Sequence, residues 1–173
     1  MKIGPWGILA ALFVARMGMG FQFQLIASTA PQLQPAFSLS YGNIGTLIGL
    51  FMLPGAVLAL PASWLGARFG ERRLAAFGLA LMALGAALCA VASDYQTLLA
   101  GRLLAGFGGI LMNVLMTKLA MDWFVGGNMV LAMAIFVNSW PVSIGLALLV
   151  QAPLATLWGW PAVIAVLSDV GLV

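Results

Sequence analysis

Long apolar runs separated by short polar turns dominate this chain. The clearest pair flanks the turn Gly66–Arg73, Gly-Ala-Arg-Phe-Gly-Glu-Arg-Arg, with Ile44–Leu65 before it and Leu74–Ala92 after it. Arg68, Glu71, Arg72 and Arg73 make that turn the densest charge in the sequence. A helix needs ~20 residues to cross the hydrocarbon of a bilayer, so each run is long enough to be a span, and the charged turn stays in water. Lys and Arg are retained on the cytoplasmic side. The turn therefore sets the orientation of the chain.

Hydrophobic residues make up 64% of the sequence and charged residues 6%, with a mean hydropathy of +1.12. A soluble domain carries roughly 25% charged residues and could not cover this much apolar surface, so the solvent is lipid. Lipid admits helices or closed barrels. Alternating apolar and polar segments of about ten residues, the mark of a barrel, are absent. The expected fold class is all-α, a polytopic transmembrane helical bundle with membrane lipid as its first partner. The net charge of +3 is read as retained basic residues and not as a nucleic-acid surface. The single cysteine, Cys89, lies in an apolar run; it cannot form an intrachain disulfide and reads as a small buried hydrophobe. Lys2 precedes a long apolar segment without a small-residue cleavage site, which marks a first membrane helix and not a removable signal peptide.

The runs predict spans at 6–30, 42–65, 74–92, 97–120 and 128–150, and a partial sixth at 161–173. Pro31 and the Gln32–Pro35 stretch end the first, and Gln151-Ala152-Pro153 opens a connection to Trp160. The last piece, about 13 residues or roughly 20 Å of helix, is too short to cross, so the sequence predicts a chain cut inside its sixth helix. With the N-terminus in the cytoplasm, Lys2, Arg68, Arg72, Arg73 and Lys118 all fall at cytoplasmic ends and Asp94 falls outside. A bacterial cytoplasmic (inner) membrane is the expected location. Gly42, Gly45 and Gly49 in the second span, and Gly101, Gly106, Gly108 and Gly109 in the fourth, are placed at helix contacts, where small residues let backbones approach. Pro54, Pro61 and Pro141 are expected to bend their helices.

Arg16 is the most informative side chain. At ~100° per residue it shares one side of the first span with Gly20, Gln24, Ala27, Ser28 and Pro31. An intramembrane charge costs roughly 2.5–3.5 kcal/mol on insertion scales and is a functional candidate by default; the structural alternative is an Arg bonded to backbone carbonyls of a bent neighbour. Arg102, Gly106, Gly109, Asn113 and Thr117 follow one face of the fourth span, and Arg102 has the alternative of snorkelling to the interface. Asn138 and Ser139 precede Trp140-Pro141 and suit either a ligand or carbonyls freed by Pro141. The candidate solute contacts are Arg16, Gln24, Asn113 and Asn138. Lys118 and Asp122, four apart, are expected to pair as a structural ion pair. The chain has no His and no Cys pair. Of its four acids, Glu71, Asp94 and Asp122 lie in or beside turns and Asp169, a candidate partner for the intramembrane arginines, lies in the last apolar piece; no phosphate loop occurs. The reading is therefore not an enzyme, with no metal and no cofactor.

The stretch Ser63-Trp-Leu-Gly-Ala-Arg-Phe-Gly-Glu-Arg-Arg73 resembles the loop signature between the second and third spans of the major facilitator superfamily, Gly-x-Leu-x-Asp-Arg-x-Gly-x-Arg-Arg. Leu65, Arg68, Gly70, Arg72 and Arg73 match, while Ser63 stands for the first glycine and Ala67 for the acid. Arg102-Leu-Leu-Ala-Gly106-Phe-Gly108 resembles the family's fourth-span signature, and Asp122-Trp123-Phe124 is a further familiar feature. The texture of the first, fourth and fifth spans, with Asn138-Ser139-Trp140-Pro141, is similar to a cyanate and nitrate/nitrite porter-like branch. The resemblance implies a twelve-span fold in two pseudo-symmetric halves with solute between them, of which this chain is the N-terminal half and the C-terminal half the missing partner. It also implies a gating role for Arg68, Gly70, Arg72 and Arg73 and proton coupling for Arg102.

The expected function is a secondary active transporter of a small anionic solute, working by alternating access. The alternatives are a non-transporting membrane scaffold or assembly subunit, and a drug/proton antiporter of the same superfamily. A polar seam inside the membrane favours transport over a scaffold.

Overall fold

The structure, a computed structural model, describes residues 4–169, with side chains throughout except at 59, 63, 72 and 167–169. Lys2, the side chains of Arg72 and Asp169, and the end of the expected sixth span therefore lie outside the described residues. Within them the chain forms six helices: α1 (Pro5–Phe37), α2 (Tyr41–Phe69), α3 (Glu71–Ala90), α4 (Tyr95–Trp123), α5 (Met129–Trp158) and α6 (Trp160–Asp169). The first five are long and apolar enough to cross a membrane. Short turns join successive helices. α4 sits in the middle, packed on α2 and α3, while α1 packs on α5, and α6 rests on α3 and α1.

Several helices overrun their expected ends. α1 does not stop at Pro31: Pro31 and Pro35 both lie inside it. A proline inside a membrane helix is tolerated more readily than in a soluble one; Thr29 Oγ1, in the turn before Pro31, donates to the Leu25 carbonyl of its own helix at 2.7 Å. At about 1.5 Å per residue the 33 residues of α1 reach roughly 50 Å, past the ~40–45 Å of core and headgroups together. The expected connection from Gln151 to Trp160 is also absent. Gln151 and Pro153 are helical, and the join between α5 and α6 is Gly159 alone, with φ +80.

The charged turn between α2 and α3 is equally short. Gly70, with φ +89, ends one helix and begins the next. A side chain is disfavoured at that angle, which is why a glycine stands there. At the other end, Asp94 caps α4 by accepting from the Thr97 amide at 2.8 Å and the Thr97 hydroxyl at 2.9 Å. These bonds stabilise the carboxylate and hold its pKa below the usual aspartate value.

Two apolar clusters fill the bundle. One, toward the Asp94 end, gathers Ile26, Leu33, Leu47, Leu98, Val163 and Ile164. The other, toward the Gly70 end, gathers Leu9, Leu12, Met82, Met116, Ala132 and Phe136. Along α1, α4 and α5, the buried polar residues Gln22, Arg102, Ser139, Ser143 and Gln151 fall between them.

The glycines divide. In α4, a methyl on Gly108 would strike the Gly78 carbonyl, one on Gly101 would strike Cys89 and the Gly85 carbonyl, and one on Gly106 would meet the Phe51 backbone. These positions let α3 and α2 approach α4 closely. Gly78 and Gly85, unremarked in the sequence, are their counterparts on α3. Gly45 and Gly49 of α2 instead have open space around them, and Gly42 approaches only Ser40. The expected small-residue contact of the second span is therefore not made within this bundle.

Candidate functional site

A cavity of about 230 Å3 opens among α1, α2, α4 and α5, lined by Arg16, Met19, Phe51, Met52, Gly109, Ile110, Asn113 and Trp140. It brings together Arg16 and Asn113, and it excludes the other two solute candidates. Gln24 lies half-buried on α1 outside the cavity. Asn138 is exposed on α5 and donates to the Ala134 carbonyl of its own helix at 2.8 Å. A 100° projection puts Gln24 with Arg16, but two turns of α1 separate them along the axis, and the cavity closes before reaching it.

Arg16 is held by α5. Its Nη1 donates to the Phe136 carbonyl at 3.2 Å, and its guanidinium lies 4.5 Å from the Phe136 ring centre. Phe136 O also accepts from Ser139 Oγ at 2.6 Å, so Ser139 serves the backbone and not a ligand. Arg16 Nε remains buried without a hydrogen-bond partner, and so does Asn113 Oδ1. Buried polar atoms are ordinarily paired. Arg16 and Asn113 both line this cavity, and further unpaired buried oxygens, on Gln22, Ser28, Gln32 and Gln151, belong to residues outside its lining.

Arg102 is a different case. It is 2% exposed, far from snorkelling. Nε donates to the Leu47 carbonyl at 3.1 Å, Nη1 to the Gln22 carbonyl at 2.9 Å and Nη2 to the Phe23 carbonyl at 3.2 Å. Its guanidinium stands 4.7 Å from the Phe51 ring centre. The charge is thus spent tying α4 to α1 and α2, and Phe51 is the wall it shares with the Arg16 cavity. Among the described residues no acid pairs with Arg16 or Arg102.

Two glutamines escaped the sequence reading. Gln22 Nε2 donates to the Met82 carbonyl of α3 at 3.2 Å, and Gln151 Nε2 donates to the Phe21 carbonyl of α1 at 2.8 Å. Gln22 is flanked by phenylalanines, and Gln151 stands where the sequence shows a turn, so only a polar residue inside an apolar window could have flagged them.

At the Gly70 end, Lys118 does not pair with Asp122. It pairs with Glu71, joining the end of α4 to the first turn of α3, where an acid also suits the helix dipole. Arg68 is exposed over Trp64 and Phe69, with its guanidinium 5.2 Å and 5.9 Å from their ring centres. Arg73 is exposed as well. A larger cavity of about 510 Å3 lies nearby, but Leu12, Ala75, Leu79, Met112 and Leu119 line it, and Glu71, its one charged residue, is taken by Lys118. It offers no polar chemistry.

An all-helical bundle of membrane-spanning length, with a charged cavity among its helices, defines an integral membrane protein of the polytopic α-helical class. Residues 12–173 match the Major Facilitator Superfamily, and the chain belongs to that family. It is 26% identical over 168 residues to the tetracenomycin C resistance and export protein of Streptomyces glaucescens, covering 97% of this chain and 31% of that one. It is 29% identical over 151 residues to the inner membrane transport protein YajR of Escherichia coli, covering 87% and 32%. It is 32% identical over 113 residues to an uncharacterized MFS-type transporter, YhcA, of Bacillus subtilis, covering 65% and 20%. The chain thus spans between 20% and 32% of the length of these relatives.

Proposed function

We propose that this chain is the N-terminal half of a secondary active transporter that moves a small anionic solute by alternating access, with the Arg16 cavity as its share of the solute site. The observation that carries the reading is that Arg16 Nε and Asn113 Oδ1 are both buried and unpartnered at one cavity. A desolvated guanidinium with a free donor is stabilised by an anion, which it can grip with two parallel N–H groups. Transporters of this build hold solute near the midplane between two repeats, so the cavity is half of a site that the C-terminal half completes. Arg68 and Arg73 lie at the end of the bundle opposite Asp94, in keeping with a cytoplasmic gate, a cytoplasmic N-terminus and a bacterial cytoplasmic membrane.

The test is transport by the intact protein carrying Arg16→Lys or Arg16→Gln. Lysine keeps the charge and loses the fork, so weakened transport is expected; glutamine is expected to abolish anion recognition. Unchanged apparent affinity in Arg16→Gln would make Arg16 structural and remove the reading.

A drug/proton antiporter is the second reading, favoured by the name of the Streptomyces relative. It predicts export of uncharged drugs that survives Arg16→Gln. No similar support favours the cyanate and nitrate/nitrite porter-like branch.

A further inference from the structure

We infer that this bundle is itself jointed: α1 with α5, and α2 with α3 and α4, form two blocks that pivot at Arg102 and part at the Gly70 end. Rocking of rigid repeats explains alternating access without any such joint, so the inference goes beyond the proposed transport cycle and holds whatever the solute is. Within each block the helices touch backbone to backbone. A methyl on Gly20 of α1 would strike Ser143 of α5, and one on Gly101, Gly106 or Gly108 of α4 would strike α3 or α2. Gln151 Nε2 adds a bond to the Phe21 carbonyl in the first block, and Lys118 pairs with Glu71 in the second. Between the blocks the arrangement differs. Among the described residues, the side-chain hydrogen bonds that cross converge on Gln22 and Phe23: Arg102 Nη1 and Nη2 donate to their carbonyls, and Gln22 Nε2 donates to the Met82 carbonyl.

That level divides the seam into two unlike parts. Toward Asp94 it is filled: Ile26 and Leu33 of α1 share one cluster with Leu47 of α2 and Leu98 of α4. α6 adds Val163 and Ile164 to that cluster while resting on both α1 and α3, so it staples the blocks together there. No methionine belongs to the cluster, and its β-branched members are stiff at χ1. Toward Gly70 the seam is loosely filled. Both cavities described above straddle it: the smaller sets Arg16 and Trp140 against Met52 and Ile110, and the larger sets Leu12 and Ala15 against Leu79 and Leu115. Side chains beside a void lose contacts on that side. The cluster at this end holds Met19, Met82, Met112 and Met116, whose rotatable thioether chains can follow a moving neighbour. The chain also has slack where the blocks part. Residues 124–128, with Gly126 and Gly127 among them, join α4 to α5 at that end and are the longest join between helices among the described residues. An edge contact between Trp6 and Phe124, with ring centroids 5.1 Å apart, closes the seam there in this structure.

The experiment is double electron–electron resonance on the purified intact protein in lipid nanodiscs, with spin-labelled cysteine pairs in a Cys89→Ser background. Val130→Cys with Phe77→Cys spans the seam at the Gly70 end, and Leu157→Cys with Tyr41→Cys spans it at the Asp94 end. Val130→Cys with Ala10→Cys, and Phe77→Cys with Trp123→Cys, each report within one block. All six positions are exposed. Hinge motions of this kind take microseconds to milliseconds, so freezing traps both populations. We expect the pair at 130 and 77 to show a second distance, longer by several ångströms, and the other three pairs a single narrow one. Arg102→Lys, with fewer bonds to the α1 carbonyls, should enlarge the longer population; the four pairs with Arg102 in place decide the matter if that variant does not fold. A single narrow distance for every pair, equal spread in all four, spread at the Asp94 end alone, or an unchanged longer population in a folded Arg102→Lys protein each overturns the inference. The solute reading is tested separately, by transport in the Arg16 variants.

Discussion

Phe136 holds Arg16 in two ways at once: its carbonyl accepts from Nη1 at 3.2 Å, and its ring centre lies 4.5 Å from the guanidinium carbon. Both contacts come from one residue of α5, so the charge is aimed without being consumed. Arg102 shows the opposite arrangement, with Nε, Nη1 and Nη2 each given to a carbonyl. Arg16 Nε is left without a hydrogen-bond partner, whereas each guanidinium nitrogen of Arg102 has one.

Arg102→Lys should therefore destabilise the bundle. One ammonium on a narrower stem cannot reach carbonyls on both α1 and α2. A loss of about 2 kcal/mol or more is expected, the scale of hydrogen bonds made by a charged group. Unfolding in detergent measures it, and an unshifted transition would mean that the three contacts contribute nothing net.

Gly108→Ala should be costly where Gly45→Ala is not. A methyl at 108 meets the Gly78 carbonyl across the α3–α4 contact, while the space at 45 is open. Overpacking typically costs about 1–3 kcal/mol, whereas the change at 45 should be neutral or slightly favourable because alanine restricts the unfolded chain. Paired thermal unfolding curves check the contrast, and equal effects at both sites would contradict the packing described.

Orientation can be read by labelling single cysteines in a Cys89→Ser background. Cysteine at position 94 should react with an impermeant reagent applied to intact cells, and cysteine at position 73 only after lysis. Labelling of position 73 from outside would reverse the topology.

Asp94 supplies a pH dependence of known sign. Hydrogen bonds from Thr97 lower its pKa in the folded chain. The cap's contribution is therefore complete above the unfolded aspartate value of about 3.9 and is lost as pH falls through the lower folded value. Asp94→Asn keeps an N-cap oxygen and should flatten that part of the acid limb. A titration of stability into acid, on both proteins, checks it; identical slopes would show that the cap is not the group responsible.

The helices were legible because lipid makes a span conspicuous: only a long apolar run can cross, and charge marks where it surfaces. Their ends were less so. Pro31 and Pro153 read as stops because proline ends soluble helices, yet both lie inside their helices here, as lipid permits more readily than water. Arg16 and Asn113, which the fold places at one cavity, stand out in the sequence because a polar atom in an apolar window is costly wherever it points. Gln24 and Asn138 were chosen on that same cost, but cost does not say which neighbour settles it, and for Asn138 the answer was a carbonyl of its own helix. Lys118 was paired with Asp122 by sequence distance. Its true partner, Glu71, lies 47 positions away in sequence, reachable only once α3 and α4 are packed.

Gly70 and Gly159 each join two helices through a single residue. Such a joint has no contour length to give. A tilt of α2 cannot be absorbed as slack and must be handed to α3 as torque about one backbone position, and the same holds for α5 and α6. The ends with the shortest joins are therefore where motion of one helix becomes motion of its neighbour, and lengthening either join by inserted residues would uncouple the pair without touching any side chain in the cavity.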